Sequence, residues 1–273
     1  MSKKKVLLVT QELDPYTAFS EVSVMARQLP QYILEKGMEI RVLMPRYGSI
    51  NERRHRLHEV VRLSGMNIIV DDDDFPLIIK VASLPGARLQ VYFLDNDDFF
   101  KRKQVFEEED GTPFDDNADR MVFFCKGVLE TVKKFGWAPD IIHCHGWMTS
   151  LIPLYVKSAY SREPLFQDSK VIYSVYNETY DASFNDSFTT KASINNMESG
   201  QLDAYMNGTG VSLHGGAIHF ADALIYGSEQ LSPSILDKLV MTDKPVMPFH
   251  EVAQYAEACI DFYHTLLEEK VES

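Results

Sequence analysis

The strongest constraint on this chain is the repeated alternation of short apolar runs with helical segments. Residues 6–9 are apolar without interruption. No polar alternation marks one face as wet, so the run reads as a strand covered on both sides, as in a parallel sheet. A helix follows over residues 20–37, where Met25, Leu29, Ile33 and Leu34 recur at helical spacing and Gly37 suits the C-terminal end. Pro30 inside it predicts a kink or a restart. Residues 40–44 form a second strand, closed by Pro45. The rhythm returns with a helix at 117–135 capped by Asn117, a strand at 141–143, a helix at 148–160 kinked at Pro153, and a strand at 171–175. A helix at 211–221, a strand at 223–226 and a short helix at 232–240, with Ser232 as cap and Pro233 at its first position, complete the series. Strands alternating with helices imply an α/β fold, a doubly wound and mostly parallel sheet.

Other segments have a different texture. Strand-like runs at 58–63, 66–70, 77–84 and 89–94 are divided by Gly65, by residues 71–76, and by Pro85 and Gly86. These turn signals predict an antiparallel excursion. Residues 95–120 read as a charged, mobile loop, and residues 178–209 as a long polar loop or weak helices. Pro245 and Pro248 mark a linker. Residues 251–269 form an amphipathic helix with Val252, Tyr255, Cys259, Phe262, Tyr263 and Leu266 on one side. The expected organisation is one α/β domain over residues 1–240, then a linker and C-terminal helix over 241–273 that packs back on it.

Charge and cysteine content narrow the partners. The 273 residues carry a formal charge of −13, and no Lys/Arg stripe is available for a nucleic-acid backbone or an anionic membrane surface. No segment approaches the roughly 20 apolar residues that span a bilayer. The run after the basic tip is shorter than the roughly 7–15 residues of a signal-peptide core. Cys125, Cys144 and Cys259 are an odd, widely spaced set, not a disulfide framework, so a cytoplasmic location is expected.

Ligands in such folds bind beyond the carboxyl ends of the strands. The first such loop, residues 11–21 (QELDPYTAFSE), has no glycine and no lysine and carries Glu12, Asp14 and Glu21. A phosphate cradle wants glycines at a helix N-terminus; a packing loop is the better reading here. Next comes His143-Cys144-His145-Gly146-Trp147. Two histidines without a third ligand do not make a metal site, and no metal or cofactor is expected. His143, His145 and Trp147 suit a sugar, which needs hydrogen bonds and an apolar stacking face; they suit a satisfied core equally well. Asn177 could hold a sugar hydroxyl or brace its turn, and Glu178 could be an acid/base, but no second carboxylate is placed with it by the sequence. Gly215 and Gly216 read as a packing device. Residues 71–74 and 107–110 read as solvated acidic tips.

Taken in order, these segments resemble the amino-terminal domain of bacterial glycogen synthases and plant starch synthases. The resemblance rests on the first strand, the EL-DPY stretch, the Leu29-Pro30 step in the helix, EKGMEIRVLMPRYG at 35–48, PDIIHCHGW at 139–147, VIYSVYN at 171–177 and GGAIHFADALIYGSEQLSPSIL at 215–236. It covers roughly residues 4–240. It implies a Rossmann-like domain, one half of a GT-B glycosyltransferase, and a family reaction of glucosyl transfer from ADP-glucose to an α-1,4-glucan.

The resemblance also shows departures. The family's first loop reads KTGGL, whose lysine and glycines hold the donor; without gaps, those positions are Ala18, Phe19, Ser20, Glu21 and Val22 here. The family's HDW aspartate, which contacts the donor glucose, falls on Gly146, and the histidine before its asparagine falls on Tyr176. His143, His145, Trp147 and Asn177 match. A second domain of the GT-B kind does not fit in 273 residues. These departures imply a catalytically degenerate, glucan-binding or regulatory protein of glycogen metabolism, with ADP-glucose binding doubtful. The alternative is an active glucosyltransferase completed by a partner chain.

Overall fold

The computed structural model describes residues 3–18, 20–178, 184, 187–194, 197–198, 200–208 and 210–268. Its first half runs β1 (Lys5–Thr10), α1 (Glu21–Glu35), β2 (Glu39–Pro45), α2 (Glu52–His55), β3 (His58–Glu59), β4 (Met66–Val70), β5 (Asp73–Ser83), β6 (Gln90–Asp95), α3 (Asp97–Phe100) and α4 (Asn117–Phe135). The second half runs β7 (Ile141–His145), α5 (Leu151–Lys157), β8 (Lys170–Val175), α6 (Phe188–Ala192), β9 (Met206–Asn207), β10 (Gly210–Val211), α7 (Leu213–Phe220), β11 (Ala223–Tyr226), α8 (Pro233–Val240), β12 (Val246–Met247) and α9 (Val252–Glu268). Short 3-10 turns at Trp147–Thr149 and Gln201–Tyr205 complete the description.

The main sheet has the order β12-β11-β8-β7-β1-β2-β6-β5-β3, and β4 pairs with β5. Strands β12 to β6 in that order are parallel; β5 is antiparallel to β6, β3 and β4. This is the doubly wound sheet with its antiparallel excursion. The apolar run of β1 sits at its centre, with Val6, Leu7, Leu8 and Val9 all buried. Burying each such side chain contributes about 1.5–3 kcal/mol, which is why the uninterrupted run reads so clearly.

The two faces can be told apart from β7, since successive strand residues point to opposite sides. His143 meets Tyr263 of α9, whereas Cys144 lies within electrostatic reach of Cys125 of α4. So α1 and α9, which pack on each other, cover one face, and α4, α5 and α7, which pack in series, cover the other.

Several elements differ from expectation for identifiable reasons. Helix α1 runs through Pro30 without restarting, and Pro30 is among its buried residues. Asn117 is not the cap of α4: Asp116 holds that position, and the Asn117 side chain instead donates to the Phe106 carbonyl and accepts from Arg120. The 58–63 run keeps only two strand residues, while β5 extends back through Pro76 to Asp73. The linker around Val246 pairs in parallel with β11 and becomes an edge strand.

The largest difference is at residues 95–120, which are packed rather than loose. Phe99, Phe100, Phe106 and Phe114 are all buried. Arg120, fully buried, donates Nε to the Phe99 carbonyl and Nη1 to Asn117 Oδ1, both at 2.8 Å. Arg102 pairs with Asp116 at 2.5 Å and lies 4.0 Å from the Phe114 ring centroid. The MPRYG segment is the platform beneath. A Cβ on Gly48 would sit 2.1 Å from the Lys101 carbonyl oxygen, so only glycine lets the two backbones meet there. Tyr47 contacts the rings of Phe100 and Phe106, and Arg46 pairs with Asp95 at 2.8 Å.

Helix α9 buries Tyr255, Cys259, Ile260, Tyr263 and Leu266. Ile260 belongs to the inner stripe; Val252 is 40% exposed and does not. The Tyr263 hydroxyl bonds His143 Nδ1 at 2.6 Å, and His143 Nε2 bonds Ser174 Oγ at 2.7 Å. Tyr263→Phe strands a buried ring nitrogen and should lower unfolding stability by about 1–3 kcal/mol, read from urea midpoints at unchanged slope. Removing residues 250–273 should expose the apolar stripe of α1 and the β7–β8 face, giving dye binding and a markedly lower melting temperature; a soluble truncation of unchanged thermal stability would refute the keystone role of α9.

Candidate functional site at the switch point of the sheet

Chain order reverses between β1 and β7, since β2 lies on one side of β1 and β7 on the other. The carboxyl ends of the three central strands are level there: Thr10 pairs with His145, and His145 with Ser174. Such a crevice is where open α/β sheets bind ligands.

Gln11 dominates it. Its backbone N–H continues the sheet to the His145 carbonyl at 3.2 Å. Its side chain lies across Gly146, which has φ 85°. A Cβ on Gly146 would meet Gln11 Oε1 at 2.2 Å, so the amide occupies the space a side chain at 146 would need. Gln11 Oε1 accepts from the Met148 N–H at 3.1 Å, and Nε2 donates to Glu178 Oε1 at 2.7 Å and to Glu12 Oε2 at 3.4 Å.

Tertiary structure therefore supplies the second carboxylate that the sequence alone does not place. Burial, then the nearby Glu12 charge, pushes Glu178 up to about 8, against the lowering effect of Gln11 and the Trp147 N–H. Burial also raises Glu12. Glu178 is thus mostly a neutral carboxyl at neutral pH, a state suited to donating a proton or a hydrogen bond.

The N-terminus of α1 flanks this cluster, and it is closed. Ser20 caps it, with Ser20 Oγ accepting from the Ser23 N–H at 3.1 Å while Ser23 Oγ accepts from the Ser20 N–H at 2.9 Å. Ser23 Oγ also donates to the Ala18 carbonyl at 3.2 Å. The Glu21 carboxylate accepts from Ser228 Oγ, and that hydroxyl accepts from the Asn177 N–H at 2.9 Å. Ala18, Ser20 and Glu21 thus spend the helix end on internal bonds, where an anion would otherwise bind. Phe19 lies outside the described residues.

His143, His145 and Trp147 are all 0% exposed. His145 Nδ1 bonds the Tyr176 hydroxyl at 2.8 Å, and the two histidine rings lie 4.0 Å apart. Burial holds His145 down at about 3 and His143 well below the ordinary histidine range, so both rings are neutral. Trp147 packs edge-on to Phe106 and Phe184. Of the four sugar-site candidates only Asn177 reaches the surface. Phe99 and Phe100 lie in the core, and Tyr92 is half-buried against Phe135. Among the described residues no group of three metal-ligating side chains is assembled, and no helix is long and apolar enough to cross a membrane.

The Gln11–Glu12–Glu178 cluster escaped sequence reasoning because its members are 167 residues apart. The available signal was the pairing of Glu178 with a strand end facing an acidic first loop. Tyr255 and Tyr263 stood out only as apolar positions of a helix; nothing local reveals that their hydroxyls meet β7 and β8.

The Rossmann-like sheet, with its switch point at β1 and β7, has the fold of one half of a GT-B glycosyltransferase. The chain belongs to the starch synthase catalytic domain family, which matches residues 5–240. A glycogen synthase of Chlorobaculum tepidum is 35% identical over 96% of this chain and 52% of its own. A glycogen synthase of Pelodictyon phaeoclathratiforme is 41% identical over 63% of this chain and 36% of its own. The catalytic domain of starch synthase IV from Arabidopsis thaliana, bound to ADP and acarbose, superposes with a TM-score of 0.70 at 20% identity over 97% of this chain and 50% of that one. The chain spans about half the length of these relatives at most.

Glu178 makes a pH prediction. Its folded pKa, about 8, lies above the ordinary 4.5, so the folded state holds the proton more tightly. Stability is fully present below the ordinary value and falls as pH rises through that window. Glu178→Gln should flatten the fall and exceed the parent in stability at about pH 9; denaturant midpoints across the range check this, and parallel curves would rule it out.

Proposed function

We propose that this chain keeps the scaffold of a glycogen or starch synthase but does not bind ADP-glucose by itself, and acts as a glucan-binding or regulatory protein of glycogen metabolism. The observation that carries this is the Gln11 side chain lying where a side chain at position 146 would stand. The resemblance puts the donor-contacting aspartate of the family there. Two further features agree. The N-terminus of α1 carries a capping box, which commits the Ser20 and Ser23 N–H groups to internal bonds. The crevice also places the carboxyls of Glu12 and Glu178 on the Gln11 amide, and stabilising a departing diphosphate needs cationic groups instead.

In this reading Asn177 is the member of the matching set that meets a glucan directly, and His143, His145 and Trp147 shape the wall behind it. Three buried free cysteines agree with a reducing, cytoplasmic setting. A second reading, a transferase completed by a partner chain, draws on one fact: the starch synthase IV domain and the Chlorobaculum enzyme are each about twice the span matched here.

Native affinity electrophoresis through glycogen-containing gels, run beside a radiolabelled ADP-glucose transfer assay, tests the first reading. The expected result is retardation by glycogen with no transfer. Transfer by the purified chain alone would overturn the closed donor site, and neither binding nor transfer would remove the glucan reading.

A further inference from the structure

A second groove lies at the opposite end of the sheet from the switch point. The amino ends of β2 and β6 and the turn before β7 enclose a volume of about 390 Å3, lined among others by Glu39, Arg41, Arg88, Gln90, Tyr92 and Trp137. Its chemistry is cationic in a chain whose net charge is −13. The Arg41 guanidinium lies 4.1 Å from the ring centroid of Phe135 and 4.8 Å from that of Trp137. Those rings hold it in place but supply no acceptor for its N–H groups. The Arg41 side chain makes no hydrogen bond and no ion pair with any described residue, and its Nη1 is buried without a partner. Arg88 also lines the groove without an ion pair among the described residues. Burial is the largest influence on Arg41 and lowers its pKa; Tyr92 and Glu39 act in the opposite sense, and the charge of Arg62 adds to the lowering. The carboxylate of the groove, Glu39, accepts from Trp137 Nε1 at 3.2 Å.

A partly desolvated cation with unused donors is costly until an anion meets it. A guanidinium clamped by rings has its planar fork fixed, which suits the two-point recognition of a phosphate. Two guanidinium groups lining the groove, Arg41 and Arg88, against one carboxylate favour a dianion with several oxygens over a single carboxylate, and a phosphomonoester carries about −1.5 to −2 charges at neutral pH. A groove of this size, at the lower end of small-molecule sites, holds more than a bare phosphate, and Leu34, Leu89 and Tyr92 provide an apolar wall for the rest. We propose that the groove formed by Arg41, Arg88, Gln90 and Trp137, with Arg62 beside it, binds a small phosphomonoester at a site separate from the switch-point crevice. This assignment is independent of whether the crevice takes a glucan.

Calorimetric titration of the full chain in low-salt buffer tests it, with inorganic phosphate, a hexose monophosphate and a nucleoside monophosphate as separate probes. Saturable one-to-one binding of at least one probe is expected, and the strongest probe identifies the source of the phosphate. Arg88→Ala, at an exposed side chain, should weaken that binding by about 10-fold or more, and Arg41→Met should abolish it. If Arg41→Met fails to fold, Arg62→Ala combined with Arg88→Ala takes its place, with the same loss expected. The proposal is overturned if no probe binds up to about 10 mM, if binding survives these substitutions unchanged, or if malonate binds as tightly as the phosphate probes.

Discussion

The structure depends on one buried polar chain between the sheet and its last helix. His143 stands in the middle of a strand with no access to water, and leaving a buried ring nitrogen unpaired costs about 1–3 kcal/mol. Tyr263 from α9 meets one nitrogen and Ser174 from β8 the other. A neutral imidazole offers one donor and one acceptor, so either tautomer completes the chain. Tyr255, 3.5 Å from Ser174, extends it along the helix. The central strands and the C-terminal helix are therefore locked in register by hydrogen bonds that fail if either side moves, while the apolar contacts around them would tolerate a slip.

The same chain constrains the switch-point crevice. Because His143 and His145 are oriented from below by tyrosines, β7 delivers Gly146 to a fixed place, and the Gln11 side chain fills the gap above it. Tyr176 is part of this arrangement as well. A Cβ on Gly227 would sit 2.6 Å from its ring, so the large residue at 176 and the glycine at 227 depend on each other. An amide bridging two carboxyls replaces what the family resemblance would put there, an aspartate beneath a glycine-rich anion loop. These features share one crevice: a capping box at the start of α1, the Gln11 side chain over Gly146 and the carboxyl of Glu178 bonded to that same side chain.

Much of the fold was legible because its signals are local. The apolar runs of β1, β2, β8 and β11 announce parallel strands; β4 and β11 fall at the expected residues, and α1 and α4 nearly so. The segment 95–120 was misread because its charge density suggests solvent, whereas its phenylalanines and the fully buried Arg120 answer to partners outside the segment. Asn117 looked like a helix cap because asparagine often is one, yet its side chain is bound to the Phe106 carbonyl, 11 residues back. The edge strand β12 was hidden between two prolines, because an edge position tolerates them.

What the sequence determined by itself is the class of fold, the family to which the chain belongs, and the positions where its first loop, Gly146 and Tyr176 depart from that family. Those follow from periodicity and from motifs that are contiguous in the chain. Only the tertiary structure decided what the departures do. It brought Gln11, Glu12 and Glu178 together from 167 residues apart, turned His143, His145 and Trp147 from candidate sugar ligands into buried framework, and set Arg41 and Arg88 in one groove. The physical reason is common to all three. Burial and charge proximity set the protonation, partners and accessibility of a side chain, and both are properties of the packed chain that no local stretch of sequence contains.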